Sequence, residues 1–357
     1  MVPCGKIAYL GLTVVAASPC MRRRAFLKNA FAVSGAAILV PRSSALPALF
    51  AKAPGLAIGA APHKSSEHPS AVSTGGFKLG AISDGFSGDF EQALKIMKSY
   101  GLGWVEIREV WGKYNTEATP EETRRIRQLM DQYGFKCSVV DSALYKCTLP
   151  GTKPVGKDAD AYPYAGQMDL LKRAADRAHA WGTDKVRGFT FWRVADPASI
   201  FTRIAEELGK AADVARAQGV RLVIENEESC NGGTGHEMAA IFKMAPAPNL
   251  GINWDVGNGY THGEVSYPDG YNVLDKSRIW HLHLKGMACA PGLKSCQEDF
   301  ADQGVIDLAG QLRALAREQY DGTMSLECEF EAPGMTHLQT TRRSLEGLLR
   351  VVDQAVS

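Results

Sequence analysis

From Phe77 onward the chain alternates eight short apolar runs with longer amphipathic ones, and this alternation restricts its fold more than any other feature. The strand candidates are FKLGAIS (77–83), GWVEIR (103–108), FKCSVVD (135–141), DKVRGFTF (184–191), VRLVIEN (220–226), LGINWD (250–255), IWHLHLK (279–285) and TMSLECE (323–329). Helical patterns lie between them at Phe90–Tyr100, Glu121–Tyr133, Gln167–Trp181, Pro197–Gln218, Gly235–Met244, Gly304–Gln319 and Thr336–Gln354. After the sixth run only a weak helical signal appears, near Tyr271–Lys276. Glycine stops such as Tyr133-Gly134-Phe135 and Gln218-Gly219-Val220 mark helix ends that turn into strands. Eight such units over about 280 residues match a (β/α)8 TIM barrel. An open doubly wound sheet shows the same alternation. The count of eight favours closure, as does Ile82-Ser83-Asp84-Gly85 standing where a glycine-rich phosphate fingerprint would follow the first strand. The expectation is a single α/β domain over residues 77–357.

Forty basic residues balance thirty-nine acidic ones. That excludes nucleic-acid binding by bulk charge. The N-terminus carries Arg23-Arg24-Ala25-Phe26-Leu27-Lys28, then a moderately apolar run and a small-residue region. This pattern is that of a twin-arginine export signal, a receptor-read address occupying residues 1–61, with Met21 as an alternative start. It implies a periplasmic or secreted protein, with residues 62–76 as linker. The apolar stretch Ile7–Ala17 is too short to span a bilayer, and no other membrane candidate follows. None of the eight cysteines forms a CxxC pair, which removes zinc-ribbon and thioredoxin readings. In an oxidising compartment Cys289 and Cys296 can bridge. Cys137 and Cys328 sit in apolar strand contexts and read as small core residues.

The run IWHLHLKG (279–286) puts His281, His283 and Lys285 on one strand face, and such groups need partners when buried. Barrel sites lie at the C-terminal ends of the strands. On the last four strands those ends carry Glu225, Asp255, His283 and Glu327, about one strand–helix unit apart. Three carboxylates and an imidazole suit Mn²⁺, Mg²⁺, Co²⁺ or Zn²⁺. The competing reading of each residue is a helix cap or an ion-pair partner. Glu227 and Glu329, each two residues further along the same face, are the rival ligands. Lys285, His281, Asn258, His262, Lys146 and Trp111 are candidate substrate-binding residues, His281 also reading as a support for His283. Asn226 has a similar position, and Tyr145, Phe191 and Trp192 are candidates for an apolar wall against a sugar ring.

VIEN (223–226), NWDVGN (253–258), HLHLKG (281–286) and SLECE (325–329) resemble the xylose isomerase-like barrel family of sugar phosphate isomerases and epimerases, as do VEIREVWGKYN (105–115) and VVDSALYKCTLPG (139–151). The resemblance implies a divalent metal on Glu225, Asp255, His283 and Glu327. It further implies that Glu225 and Glu327 move protons while the metal stabilises an enediolate. The family's HxHxK motif usually continues with Asp, where this chain has Gly286.

The expected activity is therefore an exported, metal-dependent sugar isomerase or epimerase acting on a small carbohydrate. A second reading is a lyase or dehydratase on a keto-sugar, keto-inositol or 3-keto-glycoside, which starts with the same proton abstraction. A non-catalytic periplasmic sugar-binding barrel is the third. A trimetal endonuclease needs extra histidines on the early strands, and Ser83, Arg108 and Asp141 do not supply them. Nothing points to a nucleic-acid or membrane partner, and a homo-oligomer stays open.

Overall fold

The computed structural model describes residues 74–156 and 159–357. The export-signal pattern, Met21 and most of the linker lie outside the described residues. Eight parallel strands close into a barrel in sequence order: β1 (Lys78–Ile82), β2 (Trp104–Ile107), β3 (Lys136–Leu144), β4 (Lys185–Gly188), β5 (Arg221–Glu225), β6 (Leu250–Asp255), β7 (Ile279–Leu284) and β8 (Thr323–Leu326), with β8 pairing back onto β1. Around it pack α1 (Phe90–Ser99), α2 (Pro120–Tyr133), α3 (Gln167–Trp181), α4 (Phe201–Ala217), α5 (Gly235–Met244), α6 (Leu308–Arg317) and α7 (His337–Val356). The fold is the expected (β/α)8 TIM barrel. No described helix is long and apolar enough to cross a membrane.

Local chemistry sets the helix starts. Thr119, Thr234 and Thr336 each form a capping box with Glu122, Glu237 and Gln339. Where the structure departs from the sequence expectation, a specific contact is responsible. The sixth helix starts at Leu308, capped by Asp307, rather than at Gly304, because the Val305 N–H donates to the Met287 carbonyl at 2.7 Å and holds that segment extended. The fourth strand ends at Gly188, three residues early. Tyr145 and Phe191 then take left-handed backbone (φ 63° and 62°) and stack at 4.3 Å with both side chains buried. These two rings are core, and the Tyr145 hydroxyl donates to the Glu207 carbonyl, so neither forms a sugar wall.

The strand faces turned outward bury apolar side chains under the helices. The inward faces are polar: Glu106, Asp141, Arg187, Glu225, Asn253, Asp255, His281, His283, Lys285, Ser325 and Glu327 are all buried. Two antiparallel ribbons extend from the barrel mouth. One pairs Glu109–Val110 with Lys113–Tyr114; the other pairs Gly286–Cys289 with Cys296–Asp299 and is closed by a Cys289–Cys296 disulfide. Gly286 is required by that second ribbon, since a Cβ there would meet the Phe300 carbonyl oxygen at 2.0 Å. Gly286→Ala is expected to cost about 1–3 kcal/mol through this clash with backbone and to lower Tm by several degrees in scanning calorimetry.

Candidate metal centre and substrate cavity

Strand alternation places Glu225, Asp255, His283 and Glu327 at the C-terminal mouth, each buried. One ligand atom from each lies within 4.8 Å of all the others. Three supports fix Asp255. Its Oδ1 accepts from the Gly257 and Asn258 N–H groups at 2.8 Å each, and its backbone is bracketed by the Asn226 side chain at 2.7 and 2.9 Å. Asn258 in turn donates to the Asn226 carbonyl at 2.9 Å. Both asparagines are thereby committed to holding Asp255 rather than a sugar hydroxyl.

His283 is held from behind. Its Nε2 lies 3.2 Å from Glu106 Oε1, while Glu106 Oε2 is 2.8 Å from His281 Nε2, and His281 Nδ1 is 2.7 Å from Thr323 Oγ1. Glu106 thus favours a proton on His283 Nε2, and the Asn253 side-chain amide stands 3.1 Å from the same nitrogen. Nδ1 faces Glu225 at 3.3 Å and Glu327 at 3.2 Å and has no hydrogen-bond partner among the described residues. His281 belongs to this support chain and does not line the mouth cavity.

Burial opposes every charge here, and pairing decides the outcome. It pushes Asp255 up to about 7, the nearby Lys285 opposing and Glu327 and Glu225 reinforcing the rise. For Glu327, burial is outweighed by Lys285, His283 and Arg108, which hold its carboxyl well below the usual range. For His283, the Glu327, Glu106 and Glu225 charges overcome burial and hold its imidazole protonated well above the usual value. The cations are shared out: Lys285 Nζ sits 2.9 Å from Asp255 and 2.7 Å from Glu327, Arg187 joins Glu225 at 2.9 Å to Asp141, and Arg108 joins Glu327 at 3.3 Å to Asp84 at 3.1 Å and to Glu329.

The donor set fits a divalent cation on two grounds. The unpaired His283 Nδ1 aims into a cluster of three carboxylates. Five buried carboxylates (Glu106, Asp141, Glu225, Asp255, Glu327) also outnumber the three permanent cations among them (Arg108, Arg187, Lys285), an excess that the protonated His283 and the raised Asp255 carboxyl relieve here and that a divalent cation would neutralise.

Above the cluster is a cavity of about 350 Å³ lined by Asp84, Arg108, Glu109, Tyr114, Lys146, Arg187, Glu227, Glu327 and Glu329. Of the four clustered residues, Glu327 lines it. The rivals Glu227 and Glu329 are wall residues outside the cluster; Glu227 pairs with Lys146 at 3.4 Å and Ser229 at 2.6 Å. Among the substrate-binding candidates, Lys146 lines the cavity and Lys285 bridges two clustered carboxylates. Trp111 and His262 do not line it: the Trp111 side chain packs against the apolar core, and the His262 ring bonds the Glu228 carbonyl at 2.9 Å. Trp192 donates its indole N–H to Asp160 at 2.8 Å. Sequence reasoning overlooked Glu106, Arg187 and Tyr114. The first two carried the same signal as the histidines, since alternation along WVEI and KVRG turns Glu106 and Arg187 onto inward strand faces.

A barrel with a cluster of oxygen and nitrogen ligands at its C-terminal mouth defines the class of protein. The chain belongs to the xylose isomerase-like TIM barrel family, whose model matches residues 94–350. No curated protein matches it significantly. Among solved structures it is similar to a xylose isomerase-like TIM barrel protein from Mycobacterium smegmatis in complex with magnesium, with 16% identity, 80% of this chain and 99% of that one covered, and a TM-score of 0.60. An L-ribulose 3-epimerase matches at 16% identity over 78% and 95% of the two chains, TM-score 0.58. The probable 3-DHS dehydratase AsbF from Bacillus anthracis matches at 14% over 76% and 98%, TM-score 0.57.

Glu106→Gln removes the charge that orients both histidines and is expected to weaken Mn²⁺ binding about 10- to 100-fold in calorimetric titration. A second expectation concerns pH. A carboxyl raised in the folded state gives stability that is complete below its unfolded pKa and lost as pH rises through the folded one. Through Asp255, the metal-free protein should lose stability from pH 4 towards 7, while the Tm increment given by Mn²⁺ grows over the same window, as thermal melts with and without Mn²⁺ would show.

Proposed function

We propose that the protein is a divalent-metal-dependent isomerase or epimerase of an uncharged keto-sugar, working outside the cytoplasm. The observation that carries this reading is the convergence of Glu225, Asp255, His283 and Glu327 beneath an open polar cavity. These four residues would hold the cation, which when bound polarises a substrate carbonyl and acidifies the neighbouring C–H. Glu327 faces the cavity and is held ionised by Lys285, His283 and Arg108, so it can accept a carbon-bound proton. Glu225, oriented by Arg187, is the second carboxylate for the opposite face. Lys285 steadies both Asp255 and Glu327.

Cavity charge supports a neutral substrate. Arg108, Lys146 and Arg187 are each already paired with carboxylates, and five acidic groups line the wall. A phosphate dianion would meet repulsion and no free cation, whereas sugar hydroxyls would find many acceptors. Export is supported by the Arg23-Arg24 pattern and by the disulfide, a bond that persists in oxidising compartments.

Elimination from the same substrate class, as a lyase or dehydratase, is favoured by one residue. Tyr114 lines the cavity with its hydroxyl pushed up to about 12 by burial, a proton donor for a leaving group. Incubating the Mn²⁺-loaded protein with ketoses and 3-keto-glycosides in D₂O distinguishes the two by NMR. Solvent deuterium at the carbon next to the carbonyl without fragmentation is the expected result, and it should fall at least 100-fold in Glu327→Gln. Loss of a leaving group identifies the lyase, and no exchange on any substrate rejects both.

A further inference from the structure

The opposite, N-terminal mouth of the barrel holds a second cavity, of about 180 Å³, that the proposed reaction does not use. Lys78, Lys185 and Arg221 bring three cations to its wall, beside Thr323 and the indoles of Trp104 and Trp280. Strand register explains the clustering. Lys185 and Arg221 are partners on β4 and β5, and Lys78 is paired with Thr323 on β1 and β8. These positions form the lowest inward layer of the barrel.

The cations are incompletely neutralised. Lys185 is largely buried, with a side chain 13% exposed, yet its nearest carboxylate oxygen, on Asp184, is 3.7 Å away. Arg221 uses Nε on Asp184 at 2.8 Å and lays its guanidinium over Trp280 at 4.7 Å, so its terminal nitrogens have no hydrogen-bonded acceptor among the described residues. Lys78 donates to the Asp321 carbonyl. Against these three stand the carboxylates of Asp321, in the wall, and Asp184, beside it. Lys136 adds a fourth positive charge over the Trp104 ring at 5.5 Å. The ring faces stabilise cations without consuming their N–H donors. Burial lowers the proton affinity of Lys185, the Asp184 charge opposing and the charges of Arg221 and Lys78 adding to the fall.

We propose that this mouth binds one small tetrahedral oxyanion, of the phosphate or sulfate class, through Lys78, Lys185 and Arg221. The guanidinium offers fork-like donors and the two ammonium groups act as point charges, the combination that suits such an anion. The site is independent of the reaction proposed for the other mouth.

Calorimetric titration of inorganic phosphate into the metal-free protein, at fixed ionic strength, tests it. One phosphate per chain should bind saturably, and Lys185→Met and Arg221→Met should each weaken binding at least tenfold while Lys146→Met, in the upper cavity, leaves it within twofold. Should Arg221→Met fail to fold, Lys78→Met gives the same comparison. Absence of saturable binding, or binding that survives Lys185→Met and is lost in Lys146→Met, overturns the proposal.

Discussion

The whole molecule depends on neutralising carboxylates that the barrel has taken out of water. A lone ionised carboxyl in such an interior carries a desolvation cost of several kcal/mol or more, and five of them point inward here. The solution is a set of shared cations: Arg187 between Asp141 and Glu225, Lys285 between Asp255 and Glu327, Arg108 across the mouth. The two histidines of β7 complete the arrangement with Glu106 between them. The apolar packing outside the strands closes the barrel, but the polar interior decides which side chain faces which.

This arrangement separates residues that hold from residues that act. Asn226, Asn258, Glu106, His281 and Thr323 have every relevant polar contact spent on ligands or on one another. Glu327 alone among the clustered four reaches the cavity wall, where Tyr114, Lys146 and Glu227 also stand. Lys285 occupies an intermediate position, its stem lying across Gly257, where a Cβ would come within 2.8 Å of it. The glycine of NWDVGN is therefore what lets a long cation lie flat against the sixth strand.

Periodicity made the barrel legible in the sequence, because eight strand–helix units leave few alternatives. Strand-end spacing made the four-residue cluster legible for the same reason: each of the four lies at or within one residue of a strand end, and strand ends share a height. Residues on loops were harder to assign. Asn258 and His262 look like sugar binders in sequence, yet backbone carbonyls claim their side chains, and no periodic pattern announces that. Glu106 and Arg187 were readable by alternation but sit in runs of four residues, too short to draw the eye beside IWHLHLK. Gly286 marks a departure from the family motif, and its cause is the ribbon that crosses it, not a change in the ligand set.

The Glu106 contacts bridge strands that are neighbours of neither, joining residues 175 and 177 positions apart, and Arg108 reaches Glu327 across 219. Each half of the chain keeps some pairs of its own, such as Arg187–Asp141 and Lys285–Asp255, but others cross: Glu106 lies in the first four strands and its histidines in the last four, and Arg187 and Arg108 reach over to Glu225 and Glu327. Many repeated βα architectures can be imagined as two half-barrels joined late in their history. In this one, parting the fourth strand from the fifth and the first from the eighth would cost Glu106, Glu225 and Glu327 a partner each, so the polar interior ties the two halves together from within.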